Sequence, residues 1–466
     1  MPADRRAALA EARSCPFWLD SADRPAPHES LVGRVSCDLA VVGGGFTGLW
    51  TALLAKERDP AVDVVLLESR EIGWAASGRN GGFCDASLTH GVANGRARFP
   101  DEIHRLEQLG LENLDAIEAT VRRYGIDCGF ERTGILAVAV DRWQLDALRD
   151  EAEIARSCGH DVALLDREHV RAQVDSPTYL GGLWTKSRTA LVDPAKLAWG
   201  LKAACLARGV RIFEGTVVLA LDDDNARVGL TTPHGRVHAR RVALGAGAFP
   251  PLLRRVRPYI VPIYDYVLVT EPLSDAQLAT IGWRGRQGLS DGGNQFHYYR
   301  LTRDNRVLWG GYDAIYHYGN GLRDELDQRP ETFAKLAGHF LTAFPQLEGV
   351  RFTHAWGGAI DLCSRFSAFW GTAMAGRVVY VAGYTGLGVG ATRFGAAVML
   401  DLLSGQRTGP SALRFVQSRP VPFPPEPLKF PVIQLTRWSL GQADRNGGRR
   451  NTWLRTLDRL GLGFDS

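Results

Sequence analysis

The feature that most constrains this chain is a glycine motif between two apolar segments near the N-terminus. Cys37–Val42 predicts a short buried strand, and Gly43-x-Gly45-x-x-Gly48 turns it into a helix predicted from Leu49 to about Arg58. A second apolar strand, Val62–Leu67, follows and ends at Glu68. Together these segments match the βαβ fingerprint of dinucleotide-binding proteins.

Each part of this fingerprint has a physical role. The first glycine permits a tight turn, the second lets a pyrophosphate approach the backbone, and the third lets helix and strand pack closely. The N–H groups and the dipole at the helix start hold the phosphates, and Glu68 is placed to accept hydrogen bonds from a ribose hydroxyl. We therefore expect a bound dinucleotide.

The composition limits the other functions open to the chain. Its 466 residues are enough for two domains, and a net charge of +4 is too small to indicate nucleic-acid binding. No apolar run reaches the roughly 18 residues that a bilayer span needs, so no integral membrane segment is expected. The N-terminus lacks the apolar core of a secretory signal. Seven single cysteines without a CxxC pair favour a reducing compartment and argue against a metal site, which predicts a cytoplasmic protein.

A glycine-rich loop follows the second strand. Gly73–Phe83 is predicted to be neither helix nor strand, because its small residues leave backbone N–H groups exposed. Arg79 and Asn80 add side-chain donors for phosphate or ring heteroatoms. The loop is therefore predicted to run along the dinucleotide.

The rest of the chain alternates between helical and strand-like patterns, which predicts an α/β fold. The predicted helices are 102–124, 143–158, 194–208, 330–344 and 391–403, and the predicted strands are 129–140, 210–221, 235–244, 264–270, 295–301, 307–311 and 378–382. Near the C-terminus, 434–440 and 452–460 carry apolar stripes beside arginines. We favour helices packed on the protein itself or on another subunit over helices on a membrane surface.

Two of these strands end in glycine turns. The strand 235–244 ends in Gly245-Ala246-Gly247, and the strand 378–382 leads into the loop Gly383–Gly390 before a helix. The first turn is placed to touch a bound nucleotide from its other side. The second is predicted to aim a helix start at a carbonyl edge or an anionic ring.

On these motifs the chain resembles the FAD-dependent amine oxidase family, which includes glycine oxidase, D-amino-acid oxidase and monomeric sarcosine oxidase. The similarity covers about Phe17–Gln406 and rests on the Rossmann start, the loop Ala76–Gly82, the turn Ala243–Gly247 and the loop Gly383–Gly390. Within the family, the loop Ala76–Gly82 and the segments Thr270-Glu-Pro-Leu273 and Tyr298-Tyr-Arg-Leu-Thr302 are similar to those of bacterial γ-glutamylputrescine oxidases.

The resemblance implies an FAD cofactor held without a covalent bond. Cys84 and Cys363 are candidate tethers, but Cys363 does not stand at the distance from the late loop that sarcosine oxidases use. The residues that the resemblance assigns to FAD are Gly43, Gly45, Phe46, Thr47, Gly48, Glu68, Ser69, Ser77, Gly78, Arg79, Asn80, Gly81, Gly82, Val218, Gly245, Gly247, Gly386, Leu387, Gly388, Val389 and Gly390.

The resemblance also implies a Rossmann-like FAD-binding domain with an antiparallel-sheet substrate domain inserted between its pieces. The expected boundaries are 1–36 for an N-terminal arm, 37–100, 180–250 and 355–420 for the FAD-binding domain, 101–179 and 251–354 for the substrate-binding domain, and 421–466 for a basic C-terminal tail.

One departure from the family bears on the substrate. Sarcosine oxidases have a His and a Lys in the late loop where this chain has Leu387 and Gly390, and that Lys helps to hold the substrate carboxylate. Without the cation an α-carboxylate has no evident partner there, since a buried unpaired charge is costly. We expect a primary or secondary amine of the polyamine-derivative type, although Arg300 or Arg365 is able to take the anion-binding role.

The expected reaction is hydride transfer from the C–N carbon of a neutral amine to FAD. The imine then hydrolyses to an aldehyde and an amine, and molecular oxygen reoxidises the flavin with release of hydrogen peroxide. The pocket walls are expected among His297, Tyr298, Tyr299 and Tyr384. Alternation along the strand puts Tyr298, which we favour, on the face opposite His297 and Tyr299. The catalytic candidates are Tyr298, Tyr384, His297 and Arg365.

Other functions share these motifs. They are a sarcosine- or D-amino-acid-type oxidase, an amine dehydrogenase, and a flavin-binding partner subunit that makes no product. The partners expected for the main hypothesis are a small amine and molecular oxygen, and a homodimer is compatible with the C-terminal stripes.

Overall fold

The computed structural model describes residues 7–224 and 226–463, so positions 1–6 of the predicted arm and 464–466 of the predicted tail lie outside the described residues. The strands are β1 Gly33–Val42, β2 Val64–Leu67, β3 Phe83–Asp85, β4 Ile135–Ala139, β5 Val162–Leu165, β6 Gly181–Thr185, β7 Thr189–Leu191, β8 Arg211–Phe213, β9 Ala220–Asp223, β10 Val228–Thr231, β11 Gly235–Leu244, β12 Val261–Thr270, β13 Gly288–Asp291, β14 His297–Leu301, β15 Val307–Gly311, β16 Ile315–Tyr316, β17 Phe352–Leu362, β18 Phe369–Ala373 and β19 Val378–Ala382. The helices are α1 Phe46–Arg58, α2 Ala76–Arg79, α3 Val92–Arg98, α4 Ile103–Arg123, α5 Arg142–Ser157, α6 Arg167–Gln173, α7 Pro194–Ala207, α8 Asp275–Ile281, α9 Pro330–Ala343, α10 Gly388–Ser404, α11 Gly409–Ala412, α12 Arg414–Gln417, α13 Lys429–Arg445 and α14 Thr452–Arg459.

The first sheet carries the glycine motif. Its strand order is β18-β19-β11-β1-β2-β8, in which all neighbours are parallel except β18 and β19. Val42 pairs with both Leu67 and Leu244, so the carboxyl ends of β1, β2 and β11 meet at one edge. This is the edge at which parallel sheets bind their ligands.

The two faces of this sheet are buried differently. Alternate residues such as Val41 and Leu66 pack against α1, α4, α7 and α10 in one core cluster. Their neighbours Ala40 and Val65 pack on the opposite face against β10 and the segment 252–260. Because both faces are covered, β2 is apolar throughout, as is usual for a strand inside a parallel sheet.

The second sheet is built mainly from antiparallel pairs. Its order is β16-β12-β15-β14-β13-β4-β6-β5, with β17 paired along β12 and a parallel contact between β13 and β4. Helix α9 covers one face, where Phe333 and Phe340 pack with Tyr266 and Trp309. A Rossmann-like sheet joined to an antiparallel-sheet region confirms the predicted fold class.

The predicted loop after β2 contains a short helix, which corrects its assignment as a segment without helix or strand. Asn80 Nδ2 donates to the carbonyls of Ala76 at 2.9 Å and Ser77 at 3.1 Å, which closes the helical turn of α2. The end of the loop then joins β3 at Phe83. The sequence suggested an open loop because glycine and serine favour turns. In the structure the Asn80 side chain caps the C-terminus of α2 and so stabilises a helical turn.

Other predicted elements also differ from the structure: the first helix begins at Phe46 and not at Leu49, and the strand predicted at 129–140 is limited to β4. The strand predicted at 210–221 is split into β8 and β9, because Gly215 takes φ +59° and its N–H bonds to the Arg70 carbonyl at 2.7 Å. The late helix begins at Gly388 and not at 391. Gly390 lets the first turn of this helix lie against β3, where an added Cβ would come within 2.1 Å of the Asp85 carbonyl oxygen.

The packing of some elements departs from the domain boundaries that we expected. Helix α4 belongs to the core of the parallel sheet, although 101–179 was assigned to the substrate-binding domain. Strands β6 and β17 belong to the second sheet, although β6 and the part of β17 from residue 355 onward were assigned to the FAD-binding domain. Among the described residues, none of the helices has the length and apolar character that a transbilayer span requires.

Candidate cofactor and substrate site

A cavity of about 1130 Å³ joins the two sheets. The carboxyl ends of β1, β2 and β11 line one end of it, and β12, β14 and β17 line the other. Pockets for drug-sized ligands measure about 300–1,000 Å³. The cavity is therefore large enough for a ligand that reaches from one sheet to the other.

The glycine motif forms a tight cradle at the first end. An added Cβ on Gly43 would lie 2.6 Å from the Gly245 carbonyl oxygen, and one on Gly45 would lie 2.9 Å from Ser77 Oγ. Gly43, Gly45 and Gly245 all line the cavity, together with Phe46 and Thr47. The absence of side chains brings the backbone to the cavity surface, as a bound phosphate requires.

Glu68 lies at the edge of this cradle with its carboxylate held by several donors. Gly44 N–H donates to Oε2 at 2.5 Å, and Ser69 Oγ and Trp74 Nε1 donate to Oε1 at 2.9 and 2.8 Å. Val218 lines the same end, as do Gly247 and the tilted ring pair of Trp74 and Phe249. The carboxylate is thus fixed in place beside an apolar and aromatic surface suited to a nucleoside.

Arg79 and Asn80 line the cavity, but their polar atoms bind the protein. Arg79 forms an ion pair with Asp327 and donates from Nε to the Trp74 carbonyl at 2.8 Å. Asn80 caps α2 and accepts a hydrogen bond from Gly82 N–H at 2.8 Å. These side chains hold the shape of the loop, whose residues Ser77 and Gly81 also line the cavity.

Some glycines expected at the cofactor serve close packing instead, which corrects their predicted position. An added Cβ would come within 1.8 Å of a main-chain oxygen at Gly48, and within 2.2 Å at Gly78 and Gly82, and Gly390 likewise faces β3. None of these four lines the cavity in the described part of the chain. They allow helix and loop to approach the main chain closely, which is the role foreseen for the third glycine of the motif.

The late loop reaches the cavity at its centre. Gly386, Leu387, Gly388 and Val389 line the wall, and Leu387 begins α10 without a side-chain capping bond. The loop is held by Asp361, whose Oδ2 accepts Gly383 N–H at 2.7 Å. Burial raises the pKa of Asp361 to about 6 in spite of this hydrogen bond. Asp361 is not among the site residues predicted from the sequence.

Tyr298 points into the cavity at its second end, on the face that strand alternation predicted. Its Oη donates to Asp265 Oδ2 at 2.5 Å, and its ring meets Phe83 edge to face at 5.8 Å between centroids. Burial raises the pKa of Asp265 to about 6, against the lowering effect of the Tyr298 hydrogen bond. Asp265 lines the cavity and was missed by the sequence analysis.

His297 and Tyr299 lie on the opposite face of the same strand. His297 Nδ1 is 2.6 Å from Asp291 Oδ2 and its Nε2 is 2.9 Å from His339 Nδ1. Tyr299 Oη is 2.7 Å from Tyr179 Oη inside the second core. The structure therefore does not bring His297 to the cavity, because the alternation that exposes Tyr298 turns its neighbours away.

The two arginines considered for an anionic group are also structural. Arg365 is buried and donates to the Ser367 and Ser418 carbonyls at 3.1 Å, and Arg300 donates to the Val192 carbonyl at 2.7 Å. Burial lowers the pKa of each to about 10. Neither is part of the cavity wall, so Arg365 is not placed where a catalytic residue would act.

Tyr384 lines the cavity between the two ends. Its Oη accepts a hydrogen bond from Thr47 Oγ1 at 3.3 Å, and burial raises its pKa. Cys84 and Cys363, the two candidate tethers, are buried and lie outside the cavity wall. Tyr298 and Tyr384 are thus the predicted catalytic candidates that the structure brings to one cavity.

The described residues fit FAD. Helix α1 begins after Gly45 and α10 begins after Leu387, and both starts lie at the cavity wall. Neither N-cap residue supplies a capping side chain, although Ser77 Oγ accepts the Phe46 N–H of α1 at 2.9 Å. Two helix N-termini therefore turn N–H groups and positive dipole ends toward the ligand space. One suits a pyrophosphate on the glycine cradle, and the other suits the electron-rich edge of an isoalloxazine ring.

Comparison with known proteins agrees with this fit. Residues 38–402 match the FAD dependent oxidoreductase family, DAO. The gamma-glutamylputrescine oxidoreductase of Escherichia coli (strain K12) is 33% identical over 396 residues, which cover 84% of this chain and 88% of the relative. A probable oxidoreductase of Haemophilus influenzae, OrdL, is 27% identical over 397 residues with the same two coverages.

Solved structures show the same fold. Glycine oxidase from Geobacillus kaustophilus gives a TM-score of 0.70 at 18% identity, covering 83% of this chain and 100% of its own. L-proline dehydrogenase from P. horikoshii gives 0.65 at 17% identity, covering 84% and 96%. With the family match spanning most of the sequence and the cradle suited to the cofactor, the chain belongs to the DAO family of FAD-dependent oxidoreductases.

Proposed function

We propose that this enzyme is an oxidase that takes a hydride from the C–N carbon of a primary or secondary amine of the polyamine-derivative type. The resulting imine hydrolyses to an aldehyde and an amine. FAD supplies the hydride acceptor and the route by which electrons reach molecular oxygen, which becomes hydrogen peroxide. The observation that carries the proposal is the Asp265 carboxyl in an aromatic-walled cavity that adjoins the FAD cradle.

Asp265 favours a cationic substrate. Its carboxyl is hydrogen-bonded by Tyr298 Oη and by the backbone of Tyr266 and Gly311. Within residues 7–224 and 226–463 it forms no ion pair with a lysine, arginine or histidine. A carboxylate that has lost part of its hydration is stabilised by an opposite charge close to it. A substrate ammonium in the cavity would provide that charge.

The walls favour loss of the proton from the reacting amine. Hydride leaves only from a neutral amine, because the nitrogen lone pair assists the breaking C–H bond. Phe83, Tyr298 and Tyr384 present ring surface to the cavity, and desolvation by such walls lowers the pKa of an amine. A carboxyl with a pKa of about 6 is a weak proton acceptor toward an alkylammonium, which has a pKa of about 10. Asp265 is therefore assigned to binding and orienting the ammonium form, which gives up its proton to water before the hydride leaves.

An anaerobic experiment tests the proposed reaction. The purified holoenzyme is mixed without oxygen with a panel of primary amines, secondary amines and N-acylated diamines, and bleaching of the flavin absorbance is followed. Oxygen is then admitted and hydrogen peroxide is measured. We expect bleaching by at least one amine and peroxide equal to the amine consumed. No bleaching by the panel rejects the proposal, and bleaching without peroxide identifies a dehydrogenase.

The proposal includes FAD bound without a covalent link, a cytoplasmic location and a homodimer. The position of Cys84 and Cys363 outside the cavity wall supports the first. The seven cysteines, all free thiols, support the second. Acid precipitation should release all of the flavin into the supernatant, and sedimentation of the purified protein measures the oligomeric state.

A further inference from the structure

The C-terminal segment from Val421 to Gly463, here called the C-terminal cover, forms part of the cavity wall. Its long helix α13 contributes Val432, Ile433, Thr436, Arg437 and Leu440 to the lining. The cover lies outside residues 38–402, which match the FAD dependent oxidoreductase family. This part of the wall therefore lies outside the domain by which the family is defined.

The cover is fixed to the second sheet by side chains on both sides of α13. Asp444 accepts the backbone N–H groups of Asn294 and Gln295 at 2.9 and 3.0 Å. Glu426 accepts from Tyr316 Oη, and Lys429 Nζ donates to Asn320 Oδ1 at 2.8 Å. Since these bonds hold the helix at its start and near its end, the residues between them have a defined position on the cavity.

Arg437 brings a positive charge to this wall. Within the described residues, its guanidinium has Gln434 Oε1, at 3.3 Å, as hydrogen-bond partner and has no carboxylate within 4.0 Å. The charge of Arg437 contributes to lowering the pKa of Asp313. Asp313 is already paired with Lys335 at 2.8 Å and accepts a hydrogen bond from Thr332 Oγ1 at 2.8 Å. Arg437 is half-buried and lines the cavity, so its charge lacks a close counterion there.

Asp265 and Arg437 thus bring charges of opposite sign to the cavity, and neither forms an ion pair with another described residue. Asp265 lies beside Tyr298 on the second sheet, and Arg437 lies on the cover. An arginine in a partly dehydrated wall favours a carboxylate, with which it forms charge-assisted and bidentate hydrogen bonds. A ligand with an amine at one end and a carboxylate at the other would satisfy both charges.

We propose that Arg437 binds a carboxylate on the substrate, remote from the amine that is oxidised, and that it determines specificity for such substrates. This inference rests on the proposed amine oxidation for its functional meaning. The carboxylate is not the α-carboxylate of an amino acid held next to the flavin, because Arg437 belongs to the cover and not to the late loop Gly383–Gly390.

The test uses the holoenzyme and a series of ω-amino carboxylates of increasing chain length, each compared with its methyl ester. The variants are Arg437→Gln and, as a matched control on the same helix, the exposed Arg445→Gln. For each compound, kcat/KM of anaerobic flavin reduction and the Kd from isothermal titration calorimetry are measured. The wild-type protein and Arg445→Gln should prefer at least one acid over its ester by about tenfold or more, which corresponds to one charge-assisted interaction. Arg437→Gln should abolish that preference.

The outcomes separate this inference from the proposed function. Equal use of acids and esters by the wild-type protein, or a preference that survives Arg437→Gln, overturns the inference while amine oxidation stands. Loss of the preference for the acid in both variants also overturns the inference. The preference would then arise from the summed positive charge of several basic residues and not from a contact with Arg437. If no compound of this series bleaches the flavin, the difference in Kd between acid and ester decides whether Arg437 binds the carboxylate. The broader amine panel described above then decides separately whether the proposed function stands.

Discussion

The two ends of the cavity differ in whether backbone or side-chain atoms are expected to bind the ligand. At the cofactor end, the phosphate cradle is formed by backbone atoms, and glycines such as Gly43 and Gly45 allow them to approach the ligand. At the substrate end, side chains form the surface, and Tyr298, Asp265 and Arg437 come from elements far apart in the chain. The glycine cradle should lose its affinity for FAD when a side chain is added to one of its glycines. The other end should lose activity when a single polar side chain such as that of Asp265 is replaced.

The largest effect is expected at the cofactor end. In Gly45→Val, the branched side chain would meet Ser77 Oγ and intrude on the helix start. FAD affinity should fall about 100-fold or more, since two charge-assisted hydrogen bonds of about 1.5–3 kcal/mol each would be disturbed. The measurement is the ratio of flavin to protein absorbance after purification and the Kd of added FAD.

The control for this change is Gly409→Ala, because an added Cβ there meets nothing within 4 Å. Gly409→Ala should retain its flavin. A yellow Gly45→Val protein with normal affinity would show that the motif does not carry the phosphates.

A smaller effect is expected at the substrate end. Asp265→Asn should lower kcat/KM for amines by about 10- to 100-fold, because one charge-assisted contact is worth about 1.5–3 kcal/mol. FAD content should stay normal, since Asp265 lies at the other end of the cavity from the glycine cradle. The rates are measured by stopped-flow reduction of the flavin. Tyr298→Phe should slow reduction less than Asp265→Asn does, because it leaves the Asp265 carboxyl in place. Loss of FAD from either variant would remove the distinction between the two ends.

The ionisation of Asp265 also predicts a pH dependence of stability. Burial raises the pKa of this carboxyl from 3.8 to about 6. A group whose pKa is raised on folding contributes stability at pH values below its unfolded pKa, and that contribution is lost as the pH rises through about 6. Asn cannot ionise, so Asp265→Asn does not lose this stability as the pH rises. The free energy of unfolding of the variant, relative to that of the wild-type protein, should therefore increase by about 1–2 kcal/mol between about pH 4.5 and pH 8.

Urea unfolding at several pH values measures this difference, with the exposed Asp150→Asn as the control. The control should show no comparable trend. A flat difference for Asp265→Asn would mean that its carboxyl has an ordinary pKa in the folded protein.

The smallest effect on catalysis is expected at the residues that the structure turns away from the cavity. His297→Gln and Arg365→Gln should change the rate of flavin reduction by less than about threefold, equivalent to under about 0.7 kcal/mol. Arg365→Gln should nevertheless lower Tm, because the Ser367 and Ser418 carbonyls lose a buried donor. A large fall in the rate with unchanged Tm would return either residue to the site.

The sequence predicts the cofactor end well because the information there is local. The βαβ unit from Cys37 to Glu68 needs only the spacing of glycines and the apolar strands around them. The face on which Tyr298 lies follows from alternation along one strand. Both features depend only on residues close together in the sequence, so they can be predicted without knowledge of the rest of the fold.

The substrate end is less predictable because it depends on strand pairing and on contacts distant in sequence. His297 is turned toward His339 on α9, and Arg365 is held by Ser418, and neither partner is evident from the sequence. Asp265 and Asp361 did leave a signal, since each is a single acid in an otherwise largely apolar strand. A lone carboxyl of that kind has to face a cavity or a donor, because burial without either is costly.

The burial of the cysteines has a consequence for an enzyme that would release an oxidant. Of the seven thiols, those of Cys37, Cys84, Cys128, Cys205 and Cys363 are buried. Burial raises the pKa of Cys37 and Cys128 to about 12 and raises those of Cys84 and Cys205 further. Peroxide attacks the thiolate and not the thiol. These side chains stay protonated at neutral pH, so the protein interior resists oxidation by hydrogen peroxide, the product that we propose.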